Sequence, residues 1–196
     1  QIWEHKGNPA GQRLTANRTI ESFYKWSGGG RIPIFCDTTS CTHTLLFETG
    51  GDILTPENRE KYKQLKIMDI TQWLKEVVLP RIKVIRPKNR ILLHPTCSCQ
   101  IMGLTPVLLD IARKCAREVI LPDNWGCCGA SGDRGFIFPE LSDSATRDER
   151  DEIGHESFDG CYSLARTCEI AMQDHIEQPY ESIVYLVDET IQDQGT

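Results

Sequence analysis

The spacing of apolar and polar positions predicts alternating helices and strands. Residues 15–27 place Ile20, Phe23 and Tyr24 on one helical face, and Gly28-Gly29-Gly30 ends that helix. Ile32-Pro33-Ile34-Phe35 reads as a strand over 32–36, with a helix starting near Cys41. Over 69–78, Ile70, Trp73, Leu74 and Val77 share a helical face, and Pro80 stops it. Strand 90–94 centres on Ile91-Leu92-Leu93. Helix 103–117 carries Leu104, Leu108, Ile111, Ala112 and Cys115 on one side, and strand 118–122 follows. That β-α-β order predicts parallel pairing. A polar helix begins at Pro139, and the charge-dense stretch 143–156 reads as a solvated face. A short strand is expected near 161–164, then a helix at Cys168. At the end of the chain, Ile183, Val184, Tyr185 and Val187 favour a strand. Ile183, Leu186, Val187 and Ile191 fall at helical spacing, and helix is the preferred reading. The expected fold class is α/β: a parallel-type sheet flanked by helices, with cysteine-bearing loops converging at one sheet edge.

Composition narrows the function. Of 196 residues, 39% are apolar, and runs such as Val107-Leu108-Leu109 exclude disorder. Lys and Arg number 22 against 28 Asp and Glu, a net charge of −6. With no basic block, a nucleic-acid or membrane-surface partner is not expected. No apolar stretch approaches the ~18–20 residues of a membrane span, and no signal peptide is visible. The chain starts at Gln1, which reads as a piece of something longer.

Nine cysteines, at 36, 41, 97, 99, 115, 127, 128, 161 and 168, carry the chemistry. An odd number cannot all pair, and disulfide frameworks belong to smaller, loop-rich chains. Cys115 lies on the apolar face of its helix and reads as a core thiol. Most of the others sit where a strand ends or a helix begins. In an open α/β sheet, sites assemble at the carboxyl ends of strands. Cys97 and Cys99 follow Ile91-Leu92-Leu93 through His94-Pro95-Thr96. Cys127 and Cys128 lie in the loop Gly126-Cys127-Cys128-Gly129 after the second strand. The glycines let backbone pass close to a bulky group and offer N–H donors to sulfur. Thiolates from separated loops suit a soft metal or an iron–sulfur cluster. A vicinal Cys127–Cys128 disulfide competes with that reading. His94 is placed to hydrogen-bond a sulfur or to act structurally, with ligation as a further option; His43 is similar and His155 is exposed. The glycine-rich stretch 126–135 is not a phosphate loop, since no Lys-Ser/Thr follows Gly132.

Cys97, Gly126-Cys127-Cys128-Gly129 and Cys168 together resemble the cysteine-rich CCG domain, found in heterodisulfide reductase and in the iron–sulfur proteins of glycolate and lactate oxidation. Here 29 residues separate Cys97 from Cys127 and 39 separate Cys128 from Cys168. Longer stretches are similar to the C-terminal part of bacterial FAD- and iron–sulfur-dependent D-2-hydroxyacid dehydrogenases of the D-lactate and D-2-hydroxyglutarate type. They are residues 36–42, 94–98, 126–136, 166–170 and 179–188.

The resemblance implies an iron–sulfur module, with a 4Fe-4S cluster on Cys97, Cys127, Cys128 and Cys168 and Cys99 as a fifth donor. Gly126 and Gly129 would line it. Some members close with Cys-x-x-Cys, whereas Glu169, Ile170 and Ala171 follow Cys168 here. Cys41, with Cys36, matches the end of a preceding repeat, so residues 1–30 are expected to be a linker helix and 31–196 the cysteine-rich domain. FAD and a ferredoxin-like segment are implied in the same polypeptide upstream, with a quinone or carrier protein as electron acceptor. A cytoplasmic place, peripheral to the inner membrane, follows from the same resemblance, and the chain alone is not expected to be catalytic. A structural zinc or metal-free docking domain is the alternative. Cys161 has no assigned role.

Overall fold

The structure, a computed structural model, describes Trp3 and residues 6–191. Contacts gather the chain into two compact units. One is Gln1–Cys36 with Ser40–Ile70, and the other is Asp37–Thr39 with Thr71–Thr196. By contact, residues 31–36 and 40–70 therefore group with the helix before them, whereas the division at residue 30 follows the expected repeat ancestry.

The first unit starts with α1 (Pro9–Trp26), longer than the apolar spacing alone indicates. Its start is set by Asn8, whose side chain accepts the Gly11 N–H at 2.9 Å, and by proline at the first position. β1 (Ile34–Cys36) leads into α2 (Thr39–His43), which winds on as a π-helical turn over Thr44–Glu48. α3 (Pro56–Gln64) then leads to β2 (Ile67–Asp69), which pairs with β1 in parallel, Ile34 opposite Ile67. α3 leaves no periodic trace in the sequence because its face is polar. Asn17 of α1 secures it: Asn17 Nδ2 donates to the Ile53 carbonyl at 3.0 Å, and its Oδ1 accepts from Thr55 N–H at 2.9 Å and Asn58 Nδ2 at 2.8 Å. α4 (Ile70–Trp73) starts directly after β2 with the last residue of the first unit, and its remainder and the π-helical turn over Leu74–Val78 belong to the second.

In the second unit β3 (Lys88–Leu93) is followed by α5 (Cys97–Ile101), α6 (Thr105–Cys115) and β4 (Ala116–Ile120). Then come α7 (Arg134–Ile137), α8 (Pro139–Ile153), β5 (Gly160–Ser163), α9 (Arg166–Ile176), β6 (Tyr180–Ser182) and α10 (Ile183–Thr190). The sheet runs β4-β3-β5-β6, parallel throughout. Ile91, Leu92 and Leu93 of the central β3 are fully buried, as a strand covered on both faces requires. α6 buries Leu108, Ile111, Ala112 and Cys115, four of the five positions on the expected face; the fifth, Leu104, sits just before the helix and is buried too. At the C-terminus the helical reading holds: Ile183, Val184, Tyr185 and Val187 all lie in α10, which Ser182 caps by accepting the Val184 N–H at 3.4 Å. The strand that pairs with β5 is the preceding β6, outside the residues whose propensity favours a strand. Among the described residues no helix is long and apolar enough to cross a membrane.

One element order occurs twice along the chain. In each, a strand (β1 or β5) is followed by a two-residue link and a helix whose third residue is a cysteine, Cys41 or Cys168. A parallel partner strand (β2 or β6) follows, and a helix begins at once.

Gly30 has φ +82°, and a Cβ there would run into the backbone carbonyl of Gln64. Gly30→Ala is expected to destabilise the protein by at least the ~1–3 kcal/mol of a forced left-handed residue. Denaturant unfolding checks this, and an unchanged midpoint would contradict the assigned role.

Candidate metal centre

Sheet order places the site. From β3 the chain crosses to β4 on one side, while β5 and β6 lie on the other. The adjacent carboxyl ends of β3 and β5 form the switch point of the sheet, where open α/β folds hold their ligands. The loops after β3, β4 and β5 carry Cys97, the Cys127-Cys128 pair and Cys168, respectively.

Each loop is fixed locally. After β3, the His94 N–H donates to the Tyr162 carbonyl at 2.9 Å, and Ser163 Oγ donates to the His94 carbonyl at 2.9 Å. Thr96 then caps α5 by accepting the Cys99 N–H at 3.2 Å, which makes Cys97 the first helical residue. The loop after β4 is tethered where Asp123 and Asn124 N–H groups donate to the Glu152 carboxylate at 2.6 and 2.8 Å. Gly129 (φ +73°) presses that loop onto the start of α8: a Cβ would lie 2.6 Å from the Leu141 carbonyl oxygen. Its N–H faces Cys127 Sγ at 3.4 Å, the sulfur-directed donor expected of the glycines. Gly126 has open space around its Cα.

The four sulfurs form one series. Cys128 Sγ donates to Cys168 Sγ at 2.9 Å, and the thiols of Cys97, Cys127 and Cys128 act on one another's protonation. All nine cysteines are free thiols. The series runs inward, from exposed Cys97 and Cys127 to buried Cys128 and Cys168, which pack with Leu92, Ala130, Ala165, Met172 and Tyr180. The neighbouring Cys128 and Cys97 thiols hold Cys127 far below an ordinary thiol, aided by the Gly129 N–H. Cys97 and Cys128 are pushed up, first by their hydrogen bonds to Cys127 and then by burial. Of these three thiols, Cys127 is the one held toward the thiolate.

Four soft sulfur donors suit zinc or an iron–sulfur cluster. Among the described residues no three His, Cys, Asp or Glu side chains stand as a ready metal-ion site. Cys128 and Cys168, at 2.9 Å, are closer than the ~3.8 Å edge of a tetrahedron with ~2.3 Å metal–sulfur bonds. A single metal ion held by both would need these two sulfurs about an ångström farther apart.

The remaining cysteines sort by surroundings. Cys115 is fully buried and Cys161 lies inside β5, its thiol pushed up to about 12 by burial; both are core groups. Cys99 is fully buried, its Sγ 3.9 Å from Thr105 Oγ1. Cys41 is exposed in the first unit, beside a small cavity lined by Thr19, Phe23, Thr44 and Leu45.

One pair escapes the sequence reading. His94 is fully buried, and its Nδ1 lies 3.0 and 3.2 Å from the two carboxylate oxygens of Glu149, itself 2% exposed. Glu149 sits in the charge-dense stretch that reads as solvated. Its signal is present in the spacing of Ser142, Thr146, Glu149 and Ile153, which form the buried stripe of α8. His94 Nε2 is buried without a hydrogen-bond partner, as is the hydroxyl of Tyr180, whose ring stands edge-on to the imidazole at 6.4 Å. An unmatched buried nitrogen costs about 1–3 kcal/mol.

In metal-free protein, iodoacetamide at pH 6.5 is expected to alkylate Cys127 well ahead of equally exposed Cys97, because only Cys127 is held down as thiolate. Peptide mapping with time reads the order; equal rates, rising only near pH 8.5, would contradict the series. No protein-family model and no curated protein matches the chain.

Proposed function

We propose that this chain is an iron–sulfur electron-transfer module of the CCG type, serving a flavin-linked D-2-hydroxyacid dehydrogenase. The supporting observation is the meeting of Cys97, Cys127, Cys128 and Cys168 from three loops at the switch point of a parallel sheet. The repeated strand–link–helix order with Cys41 and Cys168 at matching positions agrees with a tandem cysteine-rich ancestry.

An iron–sulfur cluster, when bound, supplies one-electron acceptance and release. Cys97, Cys127, Cys128 and Cys168 would hold it. Leu92, Ala130, Ala165, Met172 and Tyr180 exclude water from its inner side, and low polarity there tunes the potential. The Gly129 N–H directed at Cys127 sulfur stabilises negative charge on that ligand. Exposure of Cys97 and Cys127 leaves one side of the site open to an electron partner. In this reading the hydroxyacid is oxidised at the FAD of the parent protein, and electrons leave to a quinone or carrier protein.

A second reading is favoured by the same donor set: four thiolates also build a structural zinc site. Anaerobic purification and reconstitution separate the two. The proposal expects iron and acid-labile sulfide in matching amounts, about four of each per chain for a cubane. Cys128→Ser and Cys168→Ser are each expected to lose more than half of that iron. Less than about one iron per chain after reconstitution overturns the proposal, and zinc without sulfide establishes the second reading.

A further inference from the structure

The imidazole of His94 is a buried polar ring at the carboxyl end of β3, three residues before Cys97, and only half of it is used. Its Nδ1 faces both oxygens of the Glu149 carboxylate, so in the neutral ring the proton belongs on Nδ1. That leaves a lone pair on Nε2, fully enclosed and without a partner. A His whose one nitrogen donates to a carboxylate while the other is free is the arrangement found in metal-ligating histidines, where the carboxylate sets the tautomer and the ring plane.

Position along the chain agrees. His94 ends the central strand at the switch point, and His94-Pro95-Thr96-Cys97 has the two-residue spacing common between neighbouring metal ligands. A purely structural role would be met by Nδ1 alone, since the bond to Glu149 already ties the end of β3 to α8. Such a role leaves the enclosed Nε2 unexplained.

We propose that His94 Nε2 is a fifth protein donor at the Cys97, Cys127, Cys128 and Cys168 site, binding metal directly, with Glu149 as its positioning residue. The metal is taken as the iron of the cluster proposed above, and the inference rests on that reading. A neutral nitrogen donor at one iron holds a higher reduction potential than a thiolate in the same position would.

Pulsed electron paramagnetic resonance of the anaerobically reconstituted full chain tests this, using iron and sulfide as the probe. Protein grown with ordinary and with ¹⁵N-labelled histidine is compared in the paramagnetic oxidation state. The expected result is a directly coordinated histidine nitrogen whose coupling changes with the label, is lost in His94→Ala and is weakened or redirected in Glu149→Gln. His94→Cys is expected to keep the iron and lower the midpoint potential. The labelled wild-type comparison decides even where His94→Ala fails to fold. Iron and sulfide present with no label-dependent nitrogen, or a coupling that survives His94→Ala, overturns this inference and leaves the cluster reading standing. Failure to bind any iron overturns both.

Discussion

The pairing of β3 with β5 governs the rest of the second unit. Ile91, Leu92 and Leu93 stand opposite Gly160, Cys161 and Tyr162, and the His94 N–H to Tyr162 carbonyl bond carries the ladder one residue further. Both strands therefore end at the same level, and the chain leaves them side by side. A one-residue slip would turn every side chain of β3 to the other face. It would also move His94 and the Cys97 helix relative to Cys168. The burial of three consecutive aliphatic residues in β3 is the force that holds this register.

From that alignment the chemistry follows by short steps. The link after β5 is two residues, so Cys168 enters the first turn of α9; the link after β3 is three, and Thr96 caps the helix that Cys97 opens. The longer loop after β4 needs its own supports. Glu152 holds its beginning, and Gly129 seats its middle against α8. α8 thus serves the site three times: Glu152 tethers the loop, Leu141 and Ser142 receive Gly129, and Glu149 braces His94. The resulting thiols span a gradient from solvent to an apolar interior, and the exposed Cys127 is held below an ordinary thiol by its neighbours.

Much of this is legible in the residues. Leu108, Ile111, Ala112 and Cys115 announce α6 through spacing, Ile91-Leu92-Leu93 announces a doubly covered strand, and the cysteines mark the strand ends where ligands gather. α3 is invisible because it is held by the amides of Asn17 and Asn58, which leave no apolar period. Glu149 is hidden for a related reason. Its neighbours Asp148, Arg150 and Asp151 are charged, and only the register of α8 turns it inward. At the C-terminus Ile183, Val184, Tyr185 and Val187 have strand propensity, yet they lie in α10, where Ile183, Leu186 and Val187 form a buried stripe, and the strand β6 is the short segment before them. Cys161 has no distinguishing neighbours, and only its place inside β5 identifies it as a core thiol.

The central claim is that the loops after β4 and β5 bring Cys128 and Cys168 together, a pair 40 positions apart in the chain. Mild oxidation of metal-free protein followed by peptide mapping measures it directly. The account predicts a Cys128–Cys168 disulfide as the first cross-link, suppressed once metal is loaded. A vicinal Cys127–Cys128 bond as the dominant product, or cross-links spread evenly over the nine cysteines, would contradict it.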